Sequence, residues 1–391
     1  MKRNVVTRII AASLSVVMVA TMLTGCRFGF ASDPDDPNET EEEIPIDTSV
    51  DTFQYDSSLE GTEITLLNSK AEIQVALEKM SEIFEEKSGV HVEVMPITDG
   101  DSPYTKVVSL YNSGTPPTLS ILDTTDVIAL AEEKAADLSE EAWTAEAEGY
   151  LTKINGKVYS FPLCIEGRGL IYNKKVIEDL KDGKMNLDTY DRMDQFLDMF
   201  DVLKKYNVAK GDPLGADYDE MAIDLVDGKT AFWFNGNWAW PNLEEAGAEE
   251  DDEYGFLPYF MNNDPDDFVN NQIQGSPSKQ VMIDGEVVSD KERAAAKEFL
   301  NWIVYSEIGQ QMLVKTCNLI PPFQNNPYEP ADPLSRDIYE RVQSGEAFNA
   351  SAIVPNDHWS VLGAAMQKYL ASRCDREELK ETIQKYWDEQ E

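Results

Sequence analysis

The chain has 391 residues, 73 of them acidic and 33 basic, and a formal net charge of −40 at pH 7. Nucleic-acid affinity depends largely on Lys and Arg, so this balance excludes nucleic acid as an expected partner and disfavours direct binding to an anionic membrane surface. Because 42% of the residues are hydrophobic, the chain can still bury a core, and its length favours two lobes over one.

The first residues have the pattern of a secretory signal. Three basic residues precede an apolar stretch from 9 to 23, which is short for a membrane-spanning helix. The tetrapeptide Leu-Thr-Gly-Cys that ends at Cys26 resembles the bacterial lipobox. The resemblance implies a signal peptide over 1–25, cleavage before Cys26, and lipid on its sulfur, with at least two acyl chains for stable anchoring. We expect an exported protein, lipid-anchored on the outer face of the cell membrane.

Residues 26–60 predict an extended acidic tether. Seven acidic residues and two prolines lie between 33 and 43, so the segment has little to bury and many like charges to separate. A calcium loop is the alternative for so many carboxylates, but the required alternation of oxygen ligands around a glycine is missing.

The other cysteines are Cys164, Cys317 and Cys374, and the chain has two histidines. An odd number of widely spaced cysteines matches neither a zinc site nor a redox pair. We therefore expect buried free thiols, no metal and no cofactor.

The folded part begins with a predicted strand–helix–strand unit. Residues 64–67 predict a buried strand, and apolar residues at helical spacing from Ile73 to Phe84 predict a helix that ends at Gly89. Alternating valines at 90–94 predict the next strand. Units of this kind build parallel sheets, so the pattern indicates an α/β fold.

A helix over 104–111 and a strand over 119–122 come next, and the strand ends at Asp123. A polar side chain just beyond the carboxyl end of such a strand lies where ligands bind, so Asp123 is a candidate ligand contact. Its alternative role is to cap the following helix, which Asp126 could do equally well.

Residues 153–161 predict a hairpin, because the Asn-Gly pair at 155–156 supplies the positive φ angles of a tight turn. Glu166 interrupts the apolar strand that follows. A buried carboxylate costs free energy unless it is paired, so we expect Glu166 to contact either Arg168 or the hydroxyl groups of a ligand.

Five aromatic rings fall within nine residues, from Phe232 to Trp240. The first three alternate as in a strand, and we expect Phe232 and Phe234 to be core residues. Gly236 then permits a sharp turn, after which Trp238 can project into a cleft.

Several segments, in this order along the chain, resemble the extracellular solute-binding proteins of ABC sugar importers. They are Glu166 with Ile-Tyr-Asn-Lys at 171–174, residues 228–231 and 234–240, 254–258, 296–302 and 358–359. The resemblance covers nearly all of residues 60–391. It implies an α/β, two-lobed, periplasmic-binding-protein-like fold of type II, with discontinuous lobes joined by a hinge and a sugar in the cleft between them. The expected lobes are 60–165 with 278–323, and 166–277 with 324–391.

The resemblance also implies aromatic ligand contacts. A pyranose has apolar C–H faces and a polar hydroxyl rim, so its binder needs flat aromatic plates and oriented hydrogen-bonding groups. By the family match Trp238 is the stacking plate, Trp240 supports it, and Trp359 offers a second plate. The alternative for each is a place in the core.

In the first lobe, the resemblance implies that Asn68, Lys70 and Glu72 reach toward sugar hydroxyls. The alternative for Lys70 and Glu72 is that they are surface charges of a helix. Glu166 and Asp123 are favoured over these three as ligand contacts.

One interval departs from the family pattern. Family members carry a long helical stretch between the strand at 171–174 and the segment at 215–219, and here this interval is short, with one helix predicted around 193–206. We therefore expect an incomplete wall on the second lobe.

The favoured function is the capture component of an ABC importer: a monomer that closes on a sugar or oligosaccharide and delivers it to permease subunits, with no catalysis. A secreted glycoside hydrolase is one alternative, although no defined carboxylate pair is evident. A sugar-sensing or adhesion lipoprotein without transport is another. The chain has no P-loop, so it is not itself an ATPase.

Overall fold

The structure is a computed structural model. It describes residues 46–97, 102–173, 201, 205, 217–258, 264, 266–349, 354–355 and 357–390. The predicted signal peptide and Cys26 lie outside this part of the chain, and so do most of the predicted tether and most of the shortened interval. Of the helix expected around 193–206, only positions 201 and 205 are described, and both are helical.

The predicted strand–helix–strand unit is present. Strands β1 (Glu63–Asn68) and β2 (His91–Pro96) pair in parallel, and helix α1 (Gln74–Ser88) connects them. The helix ends at Gly89, whose φ of 72° lies in the left-handed region that favours glycine. After helix α2 (Pro103–Ser113), strand β3 (Leu119–Asp123) joins the other edge of β1, also in parallel.

The predicted hairpin is also present, as β4 (Lys153–Ile154) and β5 (Lys157–Val158) with positive φ at both turn residues. It leads into β6 (Ser160–Asn173), the longest strand of the described residues. Two later strands, β7 (Phe232–Gly236) and β8 (Tyr254–Leu257), both pair with β6.

The main sheet continues through one long return strand, β9 (Ile273–Ile283), which lies antiparallel between β3 and β6. Among the described residues the strand order of the sheet is β2-β1-β3-β9-β6-β7. Strand β8 also pairs with β6, and the short β10 (Ala347–Phe348) pairs with β9. Strands β6 and β9 therefore connect the two ends of the sheet.

The other described helices pack on this sheet or follow it. They are α3 (Thr124–Lys134), α4 (Trp143–Glu146), α5 (Tyr218–Val226), α6 (Trp240–Glu245), α7 (Phe268–Asn271), α8 (Asp290–Tyr305), α9 (Glu307–Gln311), α10 (Pro333–Ser344), α11 (His358–Leu370) and α12 (Arg376–Asp388). None of the helices in this part of the chain is long and apolar enough to cross a membrane.

Two hydrophobic cores meet along β6. Residues of β6 up to Cys164 belong to the first core, and those from Ile165 onward belong to the second. The register between β6 and β9 shifts twice between Pro162 and Glu166, so the ladder is irregular where the two cores meet. A further small core holds α11 and α12 together.

Cys164 and Cys317 are buried thiols, as predicted, whereas Cys374 is only partly buried, against the small core of α11 and α12. Burial raises the pKa of the Cys317 thiol to about 12. Burial also raises the pKa of the Cys164 thiol, so both buried thiols remain protonated and unreactive at neutral pH.

The expectation that Phe232 and Phe234 lie in the core is wrong. Their side chains are 40% and 52% exposed, whereas Trp233 between them is 8% exposed and packs in the second core. Successive residues of a strand point to opposite faces, so only one face of β7 is directed at this core.

Replacing Phe161 with Ala tests the first core. The ring is fully buried and packs against Trp143 and Phe323, with centroids 5.1 and 4.9 Å away, so its loss should reduce the free energy of unfolding by ~3–5 kcal/mol. Urea unfolding measures the change. Val75→Ala, at a position that is 55% exposed, is the control and should stay within about 0.5 kcal/mol of wild type. Equal losses in the two variants would contradict the assigned core.

Candidate functional site

Asn68 ends β1 and fixes the loop that leads to α1. Its side chain is buried, donates to the Lys70 carbonyl and to Gln74 Oε1 at 2.8 and 2.9 Å, and accepts from the Lys70 amide at 2.8 Å. These bonds use the donors and the acceptor of the side chain within its own loop. Asn68 therefore holds Lys70 in position, and its predicted contact with a ligand stays a prediction.

Lys70 extends from this loop to β6 and forms a buried ion pair. Its Nζ lies 2.5 Å from Glu166 Oε1 and 2.6 Å from Glu72 Oε1. The Lys70 side chain is 3% exposed and that of Glu166 is 7% exposed, and Ser278 Oγ donates to the second oxygen of Glu166. The protein partner of Glu166 is thus Lys70, not the predicted Arg168.

Both members of this pair are charged. Burial raises the pKa of Glu166, but the Lys70 ammonium, the Ser278 hydroxyl and the Lys279 charge together outweigh this effect and leave the pKa below its usual value. Burial likewise lowers the pKa of Lys70, and the Glu166 and Glu72 carboxylates raise it well above its usual value. The site therefore presents a fixed ammonium with two carboxylates around it.

Asp123 lies where the sequence places it, at the carboxyl end of β3. It is half exposed, and its Oδ1 lies 2.8 Å from Lys279 Nζ. Although Asp123 is the N-cap residue of α3, its side chain makes no capping hydrogen bond. Lys279 follows Ser278 on β9, so this exposed ion pair adjoins the buried one.

Trp238 is partly exposed and lies in the 3-10 turn at 237–239, directly after β7. A Cβ on Gly236 would lie 2.1–2.5 Å from three adjacent atoms of its six-membered ring, so the indole rests face-on against this glycine. Gly236 has φ −120°, an ordinary extended value. The glycine therefore permits close approach of the ring, not the sharp turn that the sequence predicts.

Arg168 lies beside this indole. Its guanidinium carbon is 5.1 Å from the ring centroid of Trp238, within the range of a cation–π contact. Arg168 is the register partner of Gly236 across β6 and β7, which places its side chain next to the ring.

Trp240 and Trp359 have different surroundings. Trp240 is 2% exposed and packs edge-to-face on Tyr254 at 6.0 Å in the second core. It therefore lies behind the Trp238 turn, in the core position that was its alternative. Trp359 belongs to α11, and its side chain lies outside the described part of the chain.

One hydrogen bond ties the two parts of the site together: the amide of Gly167, directly after Glu166, donates to Asn237 Oδ1, directly before Trp238, at 2.9 Å. The hydroxyl of Tyr218, which no pattern in the sequence marks, is influenced by both parts. Its pKa is raised to about 12, first by desolvation and also by the Glu72 carboxylate, while hydrogen bonding to Asn235 and Trp238 acts in the opposite direction. Glu72 and Trp238 thus both act on one hydroxyl, although they are 166 positions apart in the sequence numbering.

The structure therefore brings Lys70, Glu72 and Glu166 into contact and places Trp238 nearby. Ser278 and Lys279 are contributors that the sequence analysis missed, because nothing in the local pattern of β9 marks them. In the described ranges, no group of three His, Cys, Asp or Glu side chains could hold a metal ion. A separate surface pocket around Ala135, Gly285 and Arg293 contains none of these site residues.

Charged groups from the β1–α1 loop, β3 and β6 thus lie in the same part of the fold as the aromatic turn after β7. Residues 79–219 match the family model described as bacterial extracellular solute-binding protein. No curated protein sequence matches the chain.

Solved structures with this fold include a chitin oligosaccharide binding protein, with a TM-score of 0.63 and 19% identity over 83% of this chain and 98% of that one. A maltose/maltodextrin-binding domain from Bdellovibrio bacteriovorus, bound to maltotriose, has a TM-score of 0.63 and 17% identity over 84% and 99%. A putative binding protein from Bacillus subtilis, in an open conformation, has a TM-score of 0.65 and 16% identity, over 85% of this chain and 98% of that one. The resemblance to extracellular solute-binding proteins and the two-lobed α/β fold are thus confirmed.

Replacing Lys70 with Met tests the buried ion pair. The substitution leaves Glu166 buried without its cation and should reduce the free energy of unfolding by ~3–5 kcal/mol, whereas Lys70→Met combined with Glu166→Leu should lose much less. Urea unfolding of both variants measures this. Lys134→Met breaks the more exposed pair with Glu286 and serves as the control, with an expected loss of at most about 1 kcal/mol. A double variant no more stable than the single one would contradict the pairing.

Asp126 should give the protein a pH-dependent stability. Burial and the neighbouring Asp123 charge raise its pKa from 3.8 to about 7, so between these values the folded protein binds more protons than the unfolded chain. The contribution of this group to the free energy of unfolding is fully present below the unfolded pKa of 3.8. It is lost as the pH rises through the folded pKa of about 7, by up to roughly 4 kcal/mol. Asp126→Asn should flatten the decline, measured by urea unfolding at about pH 5 and about pH 8. If stability falls as much between these pH values in Asp126→Asn as in wild type, groups other than Asp126 cause the decline.

Proposed function

We propose that this chain is the substrate-binding component of an ABC importer, anchored at the cell surface, and that it captures a sugar or oligosaccharide between its lobes. The observation that carries the proposal is the position of the partly exposed Trp238 indole near the Lys70, Glu72 and Glu166 cluster: the amide of Gly167, next to Glu166, donates to Asn237 Oδ1, next to Trp238, at 2.9 Å. The two groups come from separate elements, β6 with the β1–α1 loop and the turn after β7, and the Gly167–Asn237 hydrogen bond links these elements.

The chemistry of this pair suits a carbohydrate. An indole offers a flat apolar surface to the C–H face of a pyranose, a contact expected to contribute roughly 0.5–1.5 kcal/mol beyond its buried area. Ionised side chains make stronger hydrogen bonds to hydroxyl groups than neutral ones do, and they also fix the orientation of the ring. Glu72 and Asp123, which are partly exposed, are the carboxylates best placed to accept such bonds.

We assign the lobes to 60–165 with 278–323, and to 166–277 with 324–391. The division of the buried residues of β6 between Cys164 and Ile165 supports this boundary. The register shifts between Pro162 and Glu166 interrupt the hydrogen bonding between β6 and β9, and we place the hinge at this interruption. Ligand that contacts both lobes only when they close would shift the population toward the closed form.

Relatives of the same fold support a carbohydrate ligand. Solved structures carry descriptions of chitin oligosaccharide binding, of a complex with raffinose and of a complex with maltotriose. The lipobox at Cys26 supplies the proposed membrane anchor, and delivery would be to the permease subunits of the transporter.

A hydrolytic role is less well supported. A glycosidase needs a general acid whose pKa is raised toward the working pH. Glu166, the most buried carboxylate of the cluster, is not such an acid, because its pKa is lowered; Asp126, whose pKa is raised to about 7, lies beside Asp123 and is not a member of this cluster. Incubation with oligosaccharides at multiple turnovers should therefore give no product, and product formation would overturn the binding role.

A thermal-shift screen with raffinose, maltotriose and a chitin oligosaccharide tests the proposal. A saccharide at about a hundred times its dissociation constant should stabilise the protein by ~2.7 kcal/mol. Trp238→Ala should abolish the shift, because it removes the indole plate. Trp387→Ala, at an exposed position of α12, is the matched control and should retain it. A full shift in Trp238→Ala would remove this residue from the site, and the absence of any shift in wild type would contradict the proposal.

A further inference from the structure

Arg168 occupies part of the surroundings of the Trp238 indole. Residues directly opposite each other in an antiparallel pair point to the same face of the sheet, and Arg168 is opposite Gly236. Gly236 has no side chain, and the indole fills the space above it. The long side chain of Arg168 rises beside this space, and its guanidinium reaches to 5.1 Å from the ring centroid.

The indole is partly exposed, but only one of its faces is open to a ligand. One face rests against the Gly236 backbone, since three adjacent ring atoms lie within 2.1–2.5 Å of the place a Cβ would take. A guanidinium group stacks on aromatic faces and is only weakly hydrated, so it competes well for the same surface that a sugar C–H face requires. A carbohydrate and Arg168 cannot both cover that surface.

We propose that Arg168 is a specificity-determining gate of the Trp238 plate: its guanidinium covers the indole, and a saccharide stacks only after it displaces this group. The inference rests on the proposed role of Trp238 in sugar binding. The gate lowers the affinity for every ligand that gains nothing from the displaced guanidinium. A ligand with oxygen acceptors near the displaced guanidinium loses less affinity, because the N–H groups of Arg168 then donate hydrogen bonds to those oxygens.

The expected size follows from the contact that must be broken. A partly exposed cation–π contact is worth about 0.5–1 kcal/mol, which corresponds to a change in the dissociation constant of about two- to fivefold.

Arg168→Met tests the gate, because Met keeps an apolar stem and removes the cation. Calorimetric titration with the saccharide that gives the largest thermal shift among raffinose, maltotriose and the chitin oligosaccharide should show a dissociation constant about two- to fivefold lower than in wild type. Arg168→Lys keeps a cation without the planar group and should give an intermediate value. Arg293→Met is the matched control, since Arg293 pairs with Asp290 on a helix that carries none of the site residues, and its dissociation constant should not change.

A second measurement needs no ligand. Acrylamide should quench the fluorescence of Trp238 more strongly in Arg168→Met than in wild type. The signal of Trp238 is obtained by subtracting the fluorescence of the same protein with Trp238→Phe. An unchanged quenching and an unchanged dissociation constant would overturn the gate while saccharide binding stands. A dissociation constant that rises in Arg168→Met would make Arg168 a ligand contact and also overturn it. If neither protein binds any of the three saccharides, the proposed function fails, and the gate fails with it.

Discussion

The buried pair of Lys70 and Glu166 is the constraint on which the rest of the site depends. Two charges that are almost fully removed from water are tolerated only because they lie 2.5 Å apart and because Glu72 and Ser278 satisfy their remaining hydrogen-bonding capacity. A residue from the β1–α1 loop, one from β6 and one from β9 must therefore hold a single arrangement. Separating these three side chains would leave a buried charge unpaired.

The same arrangement limits where a ligand can interact. Lys70 and Glu166 are engaged with each other, so the groups that retain exposure are the neighbouring Glu72 and Asp123 and the Trp238 indole. In the proposed binding role, the buried pair provides a rigid, charged base, and the exposed groups around it provide the contact surface. Preorganisation of this kind reduces the entropy lost when a flexible polar ligand binds.

The aromatic plate depends on a second structural device, the absence of a side chain at Gly236. The indole lies flat against the backbone of β7, and the opposing position on β6 carries Arg168, whose cation reaches the same ring. A strand ladder that places a glycine opposite an arginine therefore determines both the position of the plate and what covers it.

The sequence by itself determined the local elements: the strand–helix–strand unit from β1 to β2, the end of α1 at Gly89, and the hairpin at 155–156. These follow from periodicity and from φ angles that few residues adopt, which are properties of neighbouring residues. It also determined that Asp123 ends a strand and that Trp238 follows one.

Only the tertiary structure decided which face of β7 is buried, because alternation fixes two faces but not which one meets a core. It likewise decided that Lys70, 96 residues away, neutralises Glu166, and that Asn68 and Trp240 support the site from within. Contacts of this kind arise from the packing of distant strands, and no pattern within a single segment encodes them.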